Sequence, residues 1–335
     1  MVSIAVDAMG GDFGPEPIVE GVIYALKEKD NFEVLLVGET EQLESLLESS
    51  DLDTHNIKHR IKIIQSSDVI SMEDSATDVF KRKESSIFKS VELVKKGEAK
   101  AVVSAGHSGA TMSLATLRIG RLPKVSRPAI ATFVPQKDEG STLVLDVGAN
   151  ADCSPQNLFE FAVMGSVYSQ KVLKIKNPKI GLLSNGEEDS KGNELTKKTF
   201  PLLKNLPNFA GNVEGNNIFD GSVDVIVTDG FTGNIVLKTS ESVAQLVGGL
   251  IKDRIRRSPI AIAGALLMKK VFRMLKQKID YAEYGGAPLL GLKSAVIISH
   301  GKSNPKAIKN AIFQAISYIN SGVEQEIERR FAENS

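Results

Sequence analysis

Four stretches of the chain place glycine beside hydroxyl, carboxyl or amide side chains directly after an apolar run. Residues 4–6 lead into Asp7-Ala8-Met9-Gly10-Gly11-Asp12, and 101–103 lead into Ser104-Ala105-Gly106-His107-Ser108-Gly109-Ala110. Residues 143–145 lead into Asp146-Val147-Gly148-Ala149-Asn150, and 225–227 into Thr228-Asp229-Gly230-Phe231-Thr232-Gly233-Asn234. Glycine lets the backbone turn sharply and approach a ligand closely. A helix opening after such a turn adds unpaired N–H groups and a positive dipole end, which together suit an anion. The 104–110 turn, with two hydroxyls and two glycines, is the best such cradle, and 228–234 is the second. One junction of this kind is ordinary helix capping. Four in one chain point to a shared cleft outside the carboxyl ends of the strands.

Other chemistries find little support. No G-x-G-x-x-G follows an apolar run, and Gly301-Lys302-Ser303 has Val296 where a P-loop needs glycine. Gly106-His107-Ser108-Gly109 has the wrong spacing for a nucleophile elbow. His107 and Ser108 are adjacent, so on a helix they point apart and make a poor base–nucleophile pair. His55 and His59 stand at i,i+4 in a polar stretch and read as surface histidines. Asp7, Asp12, Asp146 and Asp229 could converge as a Mg²⁺ site, but carboxylates at such junctions more often cap helices. Neither a metal nor a cofactor is expected.

These turns need a frame. Short apolar runs at 4–6, 32–37, 101–104, 130–134, 142–145, 180–183, 225–228 and 295–298 alternate with helical patterns at 15–27, 41–48, 84–96, 108–117, 155–173, 194–203, 232–256 and 305–329. This is the pattern of βαβ units in a mostly parallel sheet covered on both faces. No linker or repeat divides the 335 residues, and 49–59 is the most loop-like part of the first third. The expectation is one composite α/β unit over 1–335, with room for two intertwined lobes.

Hydrophobic residues make up 42% and charged residues 24%, as in ordinary globular proteins. Lys plus Arg equals Asp plus Glu at 41 each, so no overall field favours nucleic acid. Cys153 is the only cysteine, which excludes a disulfide framework and fits a reducing compartment. The first residues lack the basic and apolar regions of a signal peptide, and no apolar run is long enough to span a bilayer. A cytoplasmic location is expected. Within 252–278 lie nine basic residues against Asp253, a net +8 in a neutral chain. They include Arg256, Arg257, Lys269 and Lys270 and flank an uncharged stretch ending in Leu266, Leu267 and Met268. Such a segment suits an anionic bilayer or an acidic partner, or else a helical hairpin packed in the core or against a second copy.

The same residues carry a resemblance. The 7–12 hexapeptide, Ser104-Ala105-Gly106, Asp146–Asn150, Asn212-Val213-Glu214-Gly215, Thr228–Asn234, Tyr284–Gly291 and Ser299-His300-Gly301 resemble, in order, the motifs of the PlsX family of phosphate acyltransferases. Gly186-Glu187-Glu188 with Lys191-Gly192-Asn193 is similar too, while His107-Ser108 stands where the family usually has Asn-Thr. The resemblance implies a three-layer α/β/α fold with a mixed sheet, of the isocitrate/isopropylmalate dehydrogenase-like and phosphotransacetylase group, and a homodimer. It implies transfer of a long-chain acyl group from acyl carrier protein to inorganic phosphate. The acyl phosphate would feed phospholipid synthesis at the downstream glycerol 3-phosphate acyltransferase, so peripheral contact with the membrane is expected.

Phosphate is already an anionic nucleophile, so the protein must hold it against the thioester and stabilise the oxyanion. By motif position, Gly10, Gly11, Ser104, Gly106, His107, Ser108 and Gly109 are expected at substrate and phosphate. Lys191 or His300 would balance charge, and Asp229 and Asn234 would handle a proton and polarise the carbonyl. Leu266, Leu267, Met268, Arg256, Arg257, Lys269 and Lys270 would meet membrane or carrier protein. A phosphotransacetylase using coenzyme A, a decarboxylating dehydrogenase and a non-catalytic scaffold are the alternatives.

Overall fold

A computed structural model describes residues 1–50, 52 and 54–333. Its strands are β1 (Val2–Asp7), β2 (Phe32–Gly38), β3 (Ile61–Gln65), β4 (Ala101–Ser104), β5 (Ala129–Pro135), β6 (Ser141–Leu145), β7 (Ile180–Leu183), β8 (Phe209–Val213), β9 (Val225–Val227), β10 (Ala287–Leu290) and β11 (Ala295–Ile298). They form one sheet in the order β3-β2-β1-β4-β11-β10-β5-β6-β9-β7-β8. Successive residues face opposite sides: Ile4 and Val6 join one core with the helices Glu16–Glu28, Pro155–Lys171 and Pro305–Ser321. Ala5 joins another with Ser86–Lys95 and Ser108–Arg118. Apolar residues on both faces are why these strands read as unbroken apolar runs. The result is the three-layer mixed α/β arrangement that the alternation predicts.

β1, β2, β3, β4 and β11 are mutually parallel, as are β6, β7, β8 and β9. Between the two groups lie three antiparallel pairings, β11 with β10, β10 with β5 and β5 with β6. An odd number of reversals makes the second group run opposite to the first within the sheet. Each group delivers its own turns.

Three strands escape the sequence pattern for physical reasons. β3 is an edge strand with Lys62 in it, β8 contains Gly211 and Asn212, and β10 carries Pro288, a residue rare in interior strands. The single helix expected over 305–329 is instead two, Pro305–Ser321 and Val323–Glu333, because Gly322 takes a left-handed conformation at φ 67 and caps the first. Of the loop-like stretch 49–59, positions 51 and 53 lie outside the described residues, as do 334 and 335.

The basic segment forms the end of the helix Gly230–Arg256, then Pro259–Leu267 and Lys269–Ile279. The last two bury no residue, and Ile260 and Leu267 are 85% and 89% exposed. Lys278 Nζ donates to the carbonyls of Lys137 and Asp138, tying the segment's end to the β5–β6 hairpin. Among the described residues no helix is long and apolar enough to cross a membrane.

Candidate active site

Contacts sort the four glycine turns into two clusters. The first rests on the adjacent ends of β1, β4 and β11, where Ser104 is in register with both Asp7 and Ile298. Asp7 is buried, and its Oδ2 accepts from Ser104 Oγ at 2.7 Å while Gly106 N donates to the same hydroxyl at 3.1 Å. Met9 N donates to Asp7 Oδ1 at 3.3 Å, and the buried Ser86 lies beside the carboxyl. Burial outweighs these bonds and pushes the Asp7 carboxyl above the usual carboxylate range.

Gly10 shows why this turn needs glycine. A Cβ there would stand 2.7 Å from both Asp7 Oδ2 and Gly106 Cα, so the two turns meet backbone to backbone. The 299–301 turn closes the side through Asp12 N, which donates to Gly301 O at 2.8 Å. His107 caps the helix Ser108–Arg118, its Nδ1 accepting from Ala110 N at 3.2 Å. Ser108 is exposed and Gly109 half-buried at the mouth. His300 is exposed, and its Nδ1 accepts from Lys302 N at 3.0 Å.

The second cluster rests on β6 and β9. Asp146 is fully buried and accepts from the backbone N–H of Ile130, Gly148, Ala149 and Asn150 and from Asn150 Nδ2. Burial still leads, so its carboxyl too is raised. Gly233 packs so tightly that a Cβ would overlap the Asp146 carbonyl oxygen. Asp229 caps the helix Gly230–Arg256, accepting from Thr232 N and Thr232 Oγ1, both at 2.8 Å. Asn234 is exposed one turn into that helix, beside Gly148. Cys153 lies alongside with its thiol pushed up to about 11 by burial, which keeps it protonated and a poor nucleophile.

Lys191 follows β7, next in the sheet to β9. It is exposed, 4.0 Å from Glu188 Oε1. The structure thus brings Gly10, Gly11, Ser104, Gly106, His107, Ser108, Gly109 and His300 to the first cluster. It sets Asp229 and Asn234 in the second, with Lys191 on a neighbouring strand of the same group. Ser104 is a brace: its hydroxyl is buried and spent on Asp7 and Gly106. Asp7 and Asp146 are the groups a sequence reading undervalues as helix caps, although a carboxylate ending a buried strand is the signal for both. The exposed side chains of the first cluster are the Ser108 hydroxyl and the His300 imidazole, set beside a helix N-terminus, a combination suited to an anion.

The family described as "Fatty acid synthesis protein" matches residues 2–326. A phosphate acyltransferase of a Nitratiruptor species is 64% identical over 333 residues, 99% of this chain and 98% of that protein. One from Aliarcobacter butzleri is 61% identical over 335 residues, 100% of this chain and 99% of the relative. Among solved structures, a phosphotransacetylase from Streptococcus pyogenes shares the fold at a TM-score of 0.63 and 19% identity, covering 95% of this chain and 94% of that one. A branched-chain phosphotransacylase from Enterococcus faecalis gives 0.60 at 14% identity, covering 96% of this chain and 100% of that one. The chain belongs to the fatty acid synthesis protein family, the PlsX-type phosphate acyltransferases whose motifs it resembles, and it is an acyltransferase.

Proposed function

We propose that this acyltransferase moves a long-chain acyl group from the thioester of acyl carrier protein to inorganic phosphate. A phosphate oxygen attacks the thioester carbonyl carbon, the C–S bond breaks as the tetrahedral oxyanion collapses, and the carrier leaves as a thiol after taking up a proton. The observation that carries the reading is the backbone-to-backbone meeting of Gly10 and Gly106. It brings two glycine turns and the start of the helix Ser108–Arg118 together, which offers backbone N–H groups and a helix N-terminus to an anion. Relatives named phosphate acyltransferase support the choice of phosphate as acceptor.

Phosphate-dependent release of free thiol from palmitoyl–acyl carrier protein, with acyl phosphate formed in equal amount, is the test. Turnover of acetyl-coenzyme A and not of the carrier thioester would replace this reading with a short-chain phosphotransacetylase.

The exposed helices Pro259–Leu267 and Lys269–Ile279 add a proposal about place. Leu266, Leu267 and Met268 enter an anionic bilayer while Arg256, Arg257, Lys269 and Lys270 meet its head groups or the acidic carrier protein. The exposed apolar residues of the helix Gly230–Arg256, among them Leu246 and Leu250, pair with a second copy to make a homodimer. The downstream glycerol 3-phosphate acyltransferase is thereby met at the membrane. Vesicle sedimentation of a Leu266→Asp/Leu267→Asp variant tests the first point, and sedimentation velocity of a Leu246→Asp/Leu250→Asp variant tests the second.

A further inference from the structure

The segment between β3 and the helix Ser86–Lys95 has no part in the chemistry described so far, yet it lies over the first cluster. Met72 is 46% exposed and stands at Gly301, where a Cβ would come within 2.9 Å of Met72 Cε and overlap Asp12 Oδ1. Ala76 stands at the other turn, its Cβ 3.2 Å from where a Gly109 Cβ would be. One segment therefore touches both the 299–301 turn and the 107–109 turn.

A single side chain gathers it. Arg82 Nε donates to Asp68 Oδ2 at 2.8 Å and its Nη2 donates to Asp68 Oδ1, a two-pronged pair. Nη2 also donates to Val69 O at 2.7 Å, and Nη1 to Asp74 Oδ2 at 2.7 Å. Asp74 Oδ2 in turn accepts from Ser71 N at 2.7 Å, so the fork is joined to the residue next to Met72. The guanidinium beside it holds the Asp68 carboxyl below the usual range, and the Ser71 N–H does the same for Asp74. Planar, two-pronged geometry is what Arg supplies and Lys does not.

We propose that Arg82 is a positioning residue that fastens residues 66–85 across the first cluster and so holds Met72 against the acyl chain of the donor. An unbranched thioether suits a flexible alkyl chain of varying length. The inference rests on the acyl-transfer reading above and adds the residues that set chain-length preference.

The test compares palmitoyl– with hexanoyl–acyl carrier protein for Met72→Ala, Arg82→Ala, the double variant and Arg82→Lys. Met72→Ala is expected to raise KM for the palmitoyl donor about tenfold and for the hexanoyl donor about twofold, since a longer chain buries more against the side chain. Arg82→Ala should reproduce that split with a smaller fall in kcat, and Arg82→Lys should recover it only in part. The double variant should be no worse than the worse single one, because the two act through one contact. Equal KM changes for the two donors, or additive effects, would overturn the proposal. Amide hydrogen exchange keeps it separate from the reaction itself. Arg82→Ala should speed exchange at Ser71 about tenfold or more, with the Ile4–Val6 amides of β1 unchanged. If the wild type turns over neither donor, the acyl-transfer reading falls, and unchanged exchange at Ser71 alone sinks the fastening.

Discussion

Asp7 and Asp146 occupy equivalent places, each a buried carboxyl at the end of a strand, but the chain treats them differently. Asp146 is ringed by five donors, four of them backbone N–H groups, so the 146–150 turn folds around its carboxyl oxygens. Asp7 has one hydroxyl donor, Ser104, and one long backbone bond from Met9 N. Both carboxyls are pushed up by burial. One is a knot that holds a turn in shape; the other is a hinge post between turns that open to solvent.

The comparison breaks most visibly at the glycines. Gly233→Ala drives a methyl into the Asp146 backbone and should cost more than ~4 kcal/mol, seen as loss of soluble folded protein. Asp146→Asn keeps the shape but turns an amide N–H₂ toward donors, and a loss of about 3 kcal/mol in urea unfolding is expected. Asp7→Asn leaves the Ser104 bond possible and should cost about 1 kcal/mol in acid. Its pH dependence sharpens the contrast. Below the ordinary value of 3.8 the wild-type carboxyl is neutral in both states and its contribution is fully present. As pH rises toward the raised folded value, the unfolded chain ionises first and the wild type loses stability that the amide variant keeps. The Tm difference should therefore move in the variant's favour as pH rises from the ordinary carboxylate range toward neutrality, and a constant difference would remove the argument. The smallest effect belongs outside the sheet: Leu267→Ser, 89% exposed in the wild type, should shift unfolding by no more than ~0.5 kcal/mol.

Strands buried on both faces announce themselves, which is why β1, β2, β4 and β11 were legible as apolar runs followed by polar turns. β10 was not, because Pro288 argues against a central strand and only its pairing with β11 and β5 rescues it. The reversal of direction it helps create was hidden for the same reason, and with it the division of four turns into two clusters. His107 could be placed at its turn from spacing alone, but its use as an N-cap could not. Asp229 read as a proton carrier by motif; its pairing with Thr232 is a three-residue relation that the sequence also offers as a cap. Arg82 had no signal at all, since its partners lie 8 and 14 residues away in an irregular segment.

The place of β11 in the sheet has a consequence for how the protein is made. Ala295 pairs with Ala101, and the turn after β11 is bonded to the 7–12 turn through Asp12 N. A ribosome therefore delivers β1 and β4 long before the strand that covers β4's far edge. Until Ala295–Ile298 emerges, that edge is a row of unpaired backbone groups flanked by Val102 and Val103. The nascent chain must be shielded or remain loose over most of its synthesis, and substitutions that slow pairing of β11 should appear as aggregation during expression before they appear as weakness in the finished molecule.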